Sequence, residues 1–83
     1  MQLLYFGWVR AKIGLSGEKI ELPAEVSDVR TLIGWLQNRG SGHSEALEDM
    51  SVIRVAVNQE MAEMDTAIAA NDEVALFPPM TGG

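Results

Sequence analysis

Cysteine is absent from this chain of 83 residues, and histidine occurs once, as His43. The lack of cysteine excludes disulfide bonds, thiolate metal sites and cysteine nucleophiles, and it fits a cytoplasmic protein. His43 stands in a Gly-Ser segment with no second histidine, so we expect a solvated loop residue rather than a metal ligand. No metal site is predicted.

Positive charge and long apolar runs are also scarce. Six Lys and Arg residues stand against twelve Asp and Glu residues, which gives a formal net charge of −6. Nucleic-acid binding requires clustered cations, so this balance argues against it. A protein partner with a basic docking surface fits the charge, and so does a chain whose acidic residues only keep it soluble. No apolar run approaches the roughly 20 residues that cross a bilayer, so no membrane span is predicted.

Recognisable catalytic arrangements are missing as well. The segment around Gly14 and Gly17 lacks the lysine of a P-loop and the glycine spacing of a dinucleotide site. Glu48 and Asp49 are adjacent, and adjacent residues on a helix do not share a face. No nucleophile stands beside a base in a familiar pattern. The chain is therefore not expected to be catalytic alone.

The most informative segment is the C-terminal run Phe77-Pro78-Pro79-Met80-Thr81-Gly82-Gly83. Because Gly82 and Gly83 have no side chains, the final carboxyl could enter a channel too narrow for a Cβ atom. The two prolines favour an extended backbone, and six extended residues reach about 20 Å. We expect a folded domain over residues 1–77 and a flexible, extended tail over residues 78–83. The alternative is a frayed terminus without a function.

Periodicity along the chain predicts an α+β fold. Alternation over residues 2–9 and 18–22 predicts two strands that form an antiparallel hairpin. A helix is expected from Ser27 or Asp28 to about Arg39, with Gly40 in the left-handed position that follows a helix. Its apolar stripe repeats at helical spacing and would pack on one face of a sheet.

The second half of the chain predicts further strands. Ser41 and Gly42 are expected in a loop, and residues 44–49 in a short helical turn. Strands are predicted at 52–57, 61–64 and 73–77, separated by turns. The order β-β-α-β-β suits a mixed sheet of four to five strands curled over one main helix.

One face of that sheet is predicted to be an apolar surface. The helix can cover only one face, and the parity of the strands turns a second set of apolar side chains away from it. Exposed aromatic and methionine side chains mark protein interfaces. The predicted set is Leu4, Phe6, Trp8, Met61 and Phe77. The alternative is that Trp8 or Phe6 folds under the loop at residues 10–17.

A body of this kind with a tail of the form Phe-Pro-Pro-x-Thr-Gly-Gly resembles the small subunit of molybdopterin synthase, the MoaD family. The resemblance covers nearly the whole chain. Residues 4–10 resemble the family's first strand and its following arginine, 55–59 its strand ending in Val-Asn, and 72–83 its closing motif. The resemblance implies a ubiquitin-like β-grasp fold.

The resemblance also implies a chemistry. In that family an ATP-dependent, E1-like enzyme adenylates the terminal carboxylate, here that of Gly83, and sulfur then replaces the adenylate to give a thiocarboxylate. The tail enters the large synthase subunit, within an expected two-plus-two heterotetramer, and donates sulfur to cyclic pyranopterin monophosphate. The carrier would bind no cofactor of its own, since the activating enzyme consumes the ATP.

Motif positions extend the resemblance to particular residues. Gly83 would carry the adenylate and the thiocarboxylate, and Gly82 would let the tail pass. Arg10 would pair with an acidic group of the partner. The remaining partner-binding positions implied by the resemblance are Phe6, Met61, Phe77, Pro78, Pro79, Met80 and Thr81.

Two positions depart from the family, and other functions stay open. Trp8 stands where a smaller or polar residue is usual, and Ala11 where an acidic residue often follows the arginine. A carrier for thiamine synthesis or tRNA thiolation would also end in Gly-Gly. A ubiquitin-like modifier conjugated to lysines would share the adenylation step, and a plain interaction module would need no tail chemistry.

Overall fold

The structure is a computed structural model, and it describes residues 1–79; residues 80–83 lie outside the described part. Within residues 1–79 the strands are β1 (Gln2–Tyr5), β2 (Gly17–Lys19), β3 (Arg54–Val57), β4 (Glu60–Met61) and β5 (Glu73–Phe77). The helices are α1 (Gly7–Ile13), α2 (Val29–Gln37) and α3 (Ser41–Ala46), with a 3-10 turn at Met50–Val52.

The strands form one mixed sheet in the order β2-β1-β5-β3-β4. The central pair β1 and β5 is parallel, whereas β1–β2, β3–β5 and β3–β4 are antiparallel. Buried side chains of the inner sheet face and of α2 join in a single core. This arrangement is the β-grasp fold of the α+β class, so the predicted fold is confirmed.

Helix α2 begins where the sequence predicts. The Asp28 carboxylate accepts a hydrogen bond of 2.8 Å from the Thr31 amide, and the Asp28 amide donates one of 3.1 Å to the Thr31 hydroxyl. This reciprocal cap satisfies backbone donors of the first turn. The predicted apolar stripe is buried, and its members are Val29, Leu32, Ile33 and Leu36.

The predicted end of this helix is wrong. Helix α2 stops at Gln37 rather than at Arg39, and Gly40 has an extended backbone with φ of 175° instead of a left-handed one. The Gly40 carbonyl accepts a hydrogen bond of 2.9 Å from the Ser44 amide, so it starts α3. The predicted loop at residues 41–42 therefore belongs to a helix.

The strand predicted over residues 2–9 is also wrong in its second half. It ends at Tyr5, and Gly7, with φ of +58°, turns the chain into α1. Helix α1 then ends at Gly14, whose φ is +87°. Val9 is buried, and it reaches the core from this helix rather than from a strand. The strands β1 and β2 do pair antiparallel, joined by this helix instead of a loop.

Other boundaries shift by a few residues. Strand β2 covers 17–19 rather than 18–22, and β4 covers 60–61 rather than 61–64. Strand β3 begins at Arg54, because the Asp49 carboxylate caps the preceding 3-10 turn by accepting from the Ser51 amide. Strand β5 covers 73–77 as predicted. Among residues 1–79, no helix has the length and apolar character that crossing a membrane requires.

Candidate functional site

The sheet has an outer face that lies opposite the helix-covered core. Leu4 in β1 is flanked by buried neighbours, and it stands opposite Ala75 of β5. Ala75 in turn stands opposite Ala56 of β3, and Ala56 opposite Met61 of β4. Since directly opposed residues share a face, these four side chains form an apolar row across four strands. We call this surface the outer face.

A second row lies at the end of the outer face from which the tail leaves. The Phe6 amide donates a hydrogen bond of 3.1 Å to the Leu76 carbonyl, which continues the β1–β5 pairing and sets Phe6 beside Phe77. A shallow hollow of about 430 Å³ opens at this end. It is lined by Phe6, Gly7, Ala75, Phe77, Pro78 and Pro79. The hollow makes the outer face continuous with the base of the tail.

Three of the predicted docking residues, Phe6, Met61 and Phe77, therefore lie on one surface. Phe6 is 48% exposed and Met61 is 65% exposed, while Phe77 is half-buried against its neighbours. Phe6, Phe77, Pro78 and Pro79 line the same hollow, and Met61 lies at the far end of the apolar row. The predicted positions Met80, Thr81, Gly82 and Gly83 lie outside the described residues.

Trp8 and Arg10 belong to a different surface. Both are exposed on α1, and the Lys12 Nζ atom lies 6.0 Å from the centroid of the Trp8 ring. Arg10 lines a separate hollow beside Gly7 and Gly14. The expectation that Trp8 shares a strand face with Leu4 is wrong, because the chain turns into a helix at Gly7. Neither Trp8 nor Phe6 is folded under a loop.

Arg54 is a site residue that the sequence reasoning missed. It is exposed, and the β3–β5 register sets it directly opposite Phe77. Glu73, two residues before Ala75 on the same face, lies at the other end of β5. Arg54 thus places a positive charge on the outer face near the tail, whereas the opposite end carries Glu73 and, through the β1–β2 register, Lys19. The alternation Arg54-Val55-Ala56-Val57 was the available signal, but only the register joins it to Phe77.

A polar cluster behind β1 corrects the prediction for His43. The His43 Nε2 atom lies 2.8 Å from Glu18 Oε2, and the His43 side chain is only 12% exposed. The Tyr5 hydroxyl donates to the same oxygen at 2.7 Å, and the Arg39 guanidinium binds Glu18 Oε1 at 3.0 Å. His43 is therefore a packed residue of α3 rather than a solvated loop residue. The cluster ties β1, β2 and α3 together.

This cluster shifts two proton equilibria. Burial raises the pKa of Glu18, but hydrogen bonds from His43, Tyr5 and Arg39 together outweigh it and hold the pKa below its ordinary value. Burial, assisted by the hydrogen bond to Glu18, raises the pKa of Tyr5 far above its ordinary value. In residues 1–79 no three His, Asp or Glu side chains converge as a metal site requires.

Comparison with known proteins gives a consistent result. The profile of the ThiS family matches residues 3–83. The molybdopterin synthase sulfur carrier subunit of Haemophilus influenzae is 31% identical over 83 residues, which are 100% of this chain and 99% of that protein. The subunit of the same name from Escherichia coli is 34% identical over 83 residues, with the same coverage.

Two solved structures share the fold. A Pyrococcus furiosus protein described as subunit 1 of a molybdopterin converting factor superposes with a TM-score of 0.78 at 30% identity, covering 95% of both chains. The small archaeal modifier protein 1 of Haloferax volcanii superposes with a TM-score of 0.74 at 27% identity, covering 96% of this chain and 97% of its own.

Proposed function

The chain belongs to the ThiS family and is a sulfur carrier subunit of molybdopterin synthase in molybdenum cofactor biosynthesis, and we propose that Gly83 is the residue that carries the sulfur. The observation that supports this most is the continuity of the outer face with the base of the tail. Phe77 lines the apolar hollow and is followed directly by Pro78 and Pro79. A docked body would thus deliver the tail at a fixed place.

The proposed chemistry begins at the terminal carboxylate. One oxygen of the Gly83 carboxylate attacks the α-phosphorus of ATP in an E1-like activating enzyme, and pyrophosphate leaves. Hydrosulfide, HS⁻, then attacks the acyl carbon, and AMP leaves with the oxygen that joined it to the carbon. The product is a thiocarboxylate. Since AMP is a far better leaving group than an oxide, activation makes the exchange feasible. Cleavage of the ATP bound to the activating enzyme supplies the free energy.

The proposed docking uses the residues of the outer face and the hollow. Phe6, Met61 and Phe77 would pack against the large subunit of the synthase, and Pro78 and Pro79 would guide residues 80–83 towards its active site. Aromatic and methionine side chains supply the large buried areas that such interfaces need. We propose that residues 1–77 act as the docking body and 78–83 as the tail. A two-plus-two heterotetramer in the cytoplasm is the proposed assembly.

A second candidate is a ubiquitin-like modifier whose C-terminus is joined to lysines of other proteins. The structural similarity to small archaeal modifier protein 1 favours it. The modifier and the carrier share the adenylated intermediate and differ in the acceptor, which is an amine in one case and sulfur in the other. A chain that serves both would use the same Gly83.

Reconstitution with the large subunit tests the proposed function. The chain is prepared as its C-terminal thiocarboxylate and mixed with the large subunit and cyclic pyranopterin monophosphate. We expect molybdopterin to form in proportion to the thiocarboxylate consumed. The chain lacking Gly83, and the chain with one extra residue after it, should give none. Absence of product from the intact thiocarboxylate would refute the carrier role, and lysine conjugates in its place would support the modifier.

A further inference from the structure

Gly7 lies unusually close to the first residue of the tail. A Cβ atom added to Gly7 would lie 2.6 Å from Pro78 Cγ and 2.9 Å from Pro78 Cδ. Such distances are shorter than any ordinary contact between carbon atoms, which lies near 3.5–4.0 Å. The ring of Pro78 therefore occupies space that any side chain at position 7 would need. The absence of a side chain at Gly7 is thus a condition for the observed place of Pro78.

Two features hold the groups on either side of this contact. The Phe6 amide donates to the Leu76 carbonyl at 3.1 Å, so the start of α1 is fixed to the end of β5. The Arg10 amide donates to the Phe6 carbonyl at 3.3 Å, which secures the first turn of α1. Pro78, two residues after Leu76, has its φ fixed by its ring. The start of α1 can therefore move only by breaking these hydrogen bonds, so a side chain at position 7 would displace the Pro78 ring by rotation about the backbone bonds of Phe77.

We propose that Gly7 is a positioning residue for sulfur delivery. By leaving room for the Pro78 ring against the start of α1, it sets the direction in which the tail leaves the body. This inference rests on the proposed function, since direction matters only if the end of the tail must reach a partner's active site. Gly7 would touch neither the sulfur nor its acceptor.

Because the tail is long, a small rotation at its base moves its far end by a large distance. The five residues after Pro78, if extended, span about 16 Å at roughly 3.3 Å per residue. A rotation of about 10° at the base would then move the far end by about 3 Å on that same reach. A misplacement of about 1 Å can lower a rate by roughly a hundredfold when reacting groups must be aligned. A small shift of Pro78 should therefore lower the rate of sulfur transfer.

Gly14 provides a matched control for backbone strain. Its φ is +87°, and an added Cβ would have no atom within 4 Å. Gly14→Ala therefore imposes the cost of a side chain at positive φ without displacing anything. Gly7→Ala imposes a similar backbone cost and also the collision with Pro78. The difference in sulfur-transfer rate between the two variants therefore measures the effect of the collision with Pro78.

Pro78→Ala provides the reverse test. It removes Cγ and Cδ, which are the two atoms that the new Cβ would meet. If the collision is what matters, Gly7→Ala should have little further effect in a chain that already carries Pro78→Ala. A purely local effect of Gly7→Ala on α1 would persist in the double variant.

The experiment measures single-turnover sulfur transfer from preformed thiocarboxylates at saturating large subunit, together with the dissociation constant and Tm. We expect Gly7→Ala to transfer sulfur at least about tenfold more slowly than Gly14→Ala, with dissociation constants within about threefold of each other. The double variant Gly7→Ala/Pro78→Ala should match Pro78→Ala alone.

The other outcomes contradict either the inference about Gly7 or the proposed function. Equal transfer rates for Gly7→Ala and Gly14→Ala would overturn the inference, as would a double variant that transfers sulfur more slowly than Pro78→Ala alone. If Gly7→Ala does not fold, the double variant should fold with a Tm close to that of Gly14→Ala, and its failure to fold would also overturn the inference. An unaltered thiocarboxylate that transfers no sulfur would refute the proposed function instead.

Discussion

The hydroxyl of Tyr5 donates a hydrogen bond of 2.7 Å to Oε2 of Glu18. Tyr5 is the last residue of β1 and directly precedes Phe6, so this bond lies immediately behind the proposed docking surface. Tyr5 is buried, and the Glu18 carboxylate also accepts hydrogen bonds from His43 and Arg39. The pair therefore joins β1 to the edge strand β2. The protonation states of Tyr5 and Glu18 consequently affect the free energy of unfolding.

The alkaline titration of Tyr5 is the first prediction. Burial and the bond to Glu18 raise the pKa of Tyr5, so the folded protein should show no tyrosinate absorbance near pH 10, where an ordinary tyrosine ionises. Since the folded state holds this proton more tightly, stability should fall as the pH rises above about 10. Tyr5 is the only tyrosine, which makes the ultraviolet signal unambiguous. Half-ionisation near pH 10 in the folded protein would contradict this prediction; the urea-unfolded chain is the control.

The acid limb of stability is the second prediction. The pKa of Glu18 is held below its ordinary value, so its contribution is complete above about pH 4.5 and is lost as the pH falls through the lowered pKa. Glu18→Gln should reduce the free energy of unfolding at neutral pH by about 1–3 kcal/mol, because buried donors lose their charged acceptor. It should also flatten the loss of stability in acid.

Urea unfolding at several pH values measures this effect. Part of the acid dependence should remain in Glu18→Gln, since hydrogen bonds also hold the pKa of Asp28, Asp49 and Asp72 below the usual range. Glu25→Gln, which changes an exposed carboxylate, serves as the control. If both variants show the same pH dependence as the unaltered chain, the Glu18 cluster does not contribute as described.

Phe77 provides the third prediction, which concerns docking. Phe77→Ala should weaken binding to the large subunit by about 1–3 kcal/mol, because it removes an aromatic ring from the hollow at the base of the tail. Calorimetric titration measures the loss, and thermal unfolding shows whether the body stays folded. Val52→Ala, which trims an exposed apolar residue outside the sheet, should bind normally. A large fall in Tm with unchanged affinity would mean that Phe77 serves the core instead.

Arg54 provides the fourth prediction, which concerns charge. Because Arg54 is exposed opposite Phe77, it should attract acidic groups of a partner even though the whole chain carries a net charge of −6. Arg54→Glu should slow association with the large subunit by about threefold to tenfold at low salt, and salt should reduce the difference. Arg30→Glu changes the same charge on α2, away from the outer face. Equal association rates for the two variants would show that Arg54 has no role in docking.

The parts of the fold that could be predicted are those with strong local patterns. Helix α2 has a capping pair and an apolar stripe within a dozen residues, and β5 alternates over five residues before two prolines. Both signals depend only on neighbours in the sequence. The same local alternation predicted that Phe77 faces away from the core, and the observed burial agrees, since Val74 and Leu76 are buried and Phe77 is only partly so.

The errors arose where distant residues decide the structure. Residues 2–9 alternate like a strand, yet Gly7 adopts a left-handed backbone that starts a helix, and Val9 reaches the core from there. His43 looked solvated because its partner, Glu18, lies 25 residues away in the sequence. Arg54 joins the candidate site only through the register of β3 on β5. None of these relationships has a signal within a short window.

The most direct test of the account is the intact mass of the chain after incubation with an E1-like activating enzyme, ATP and a sulfur donor. We expect a product in which one oxygen has been replaced by one sulfur, with the change confined to the C-terminal peptide. A chain amidated at Gly83 should remain folded and unchanged in mass. An unmodified mass for the free acid with competent enzyme, or sulfur found elsewhere in the chain, would contradict the claim that Gly83 carries the sulfur.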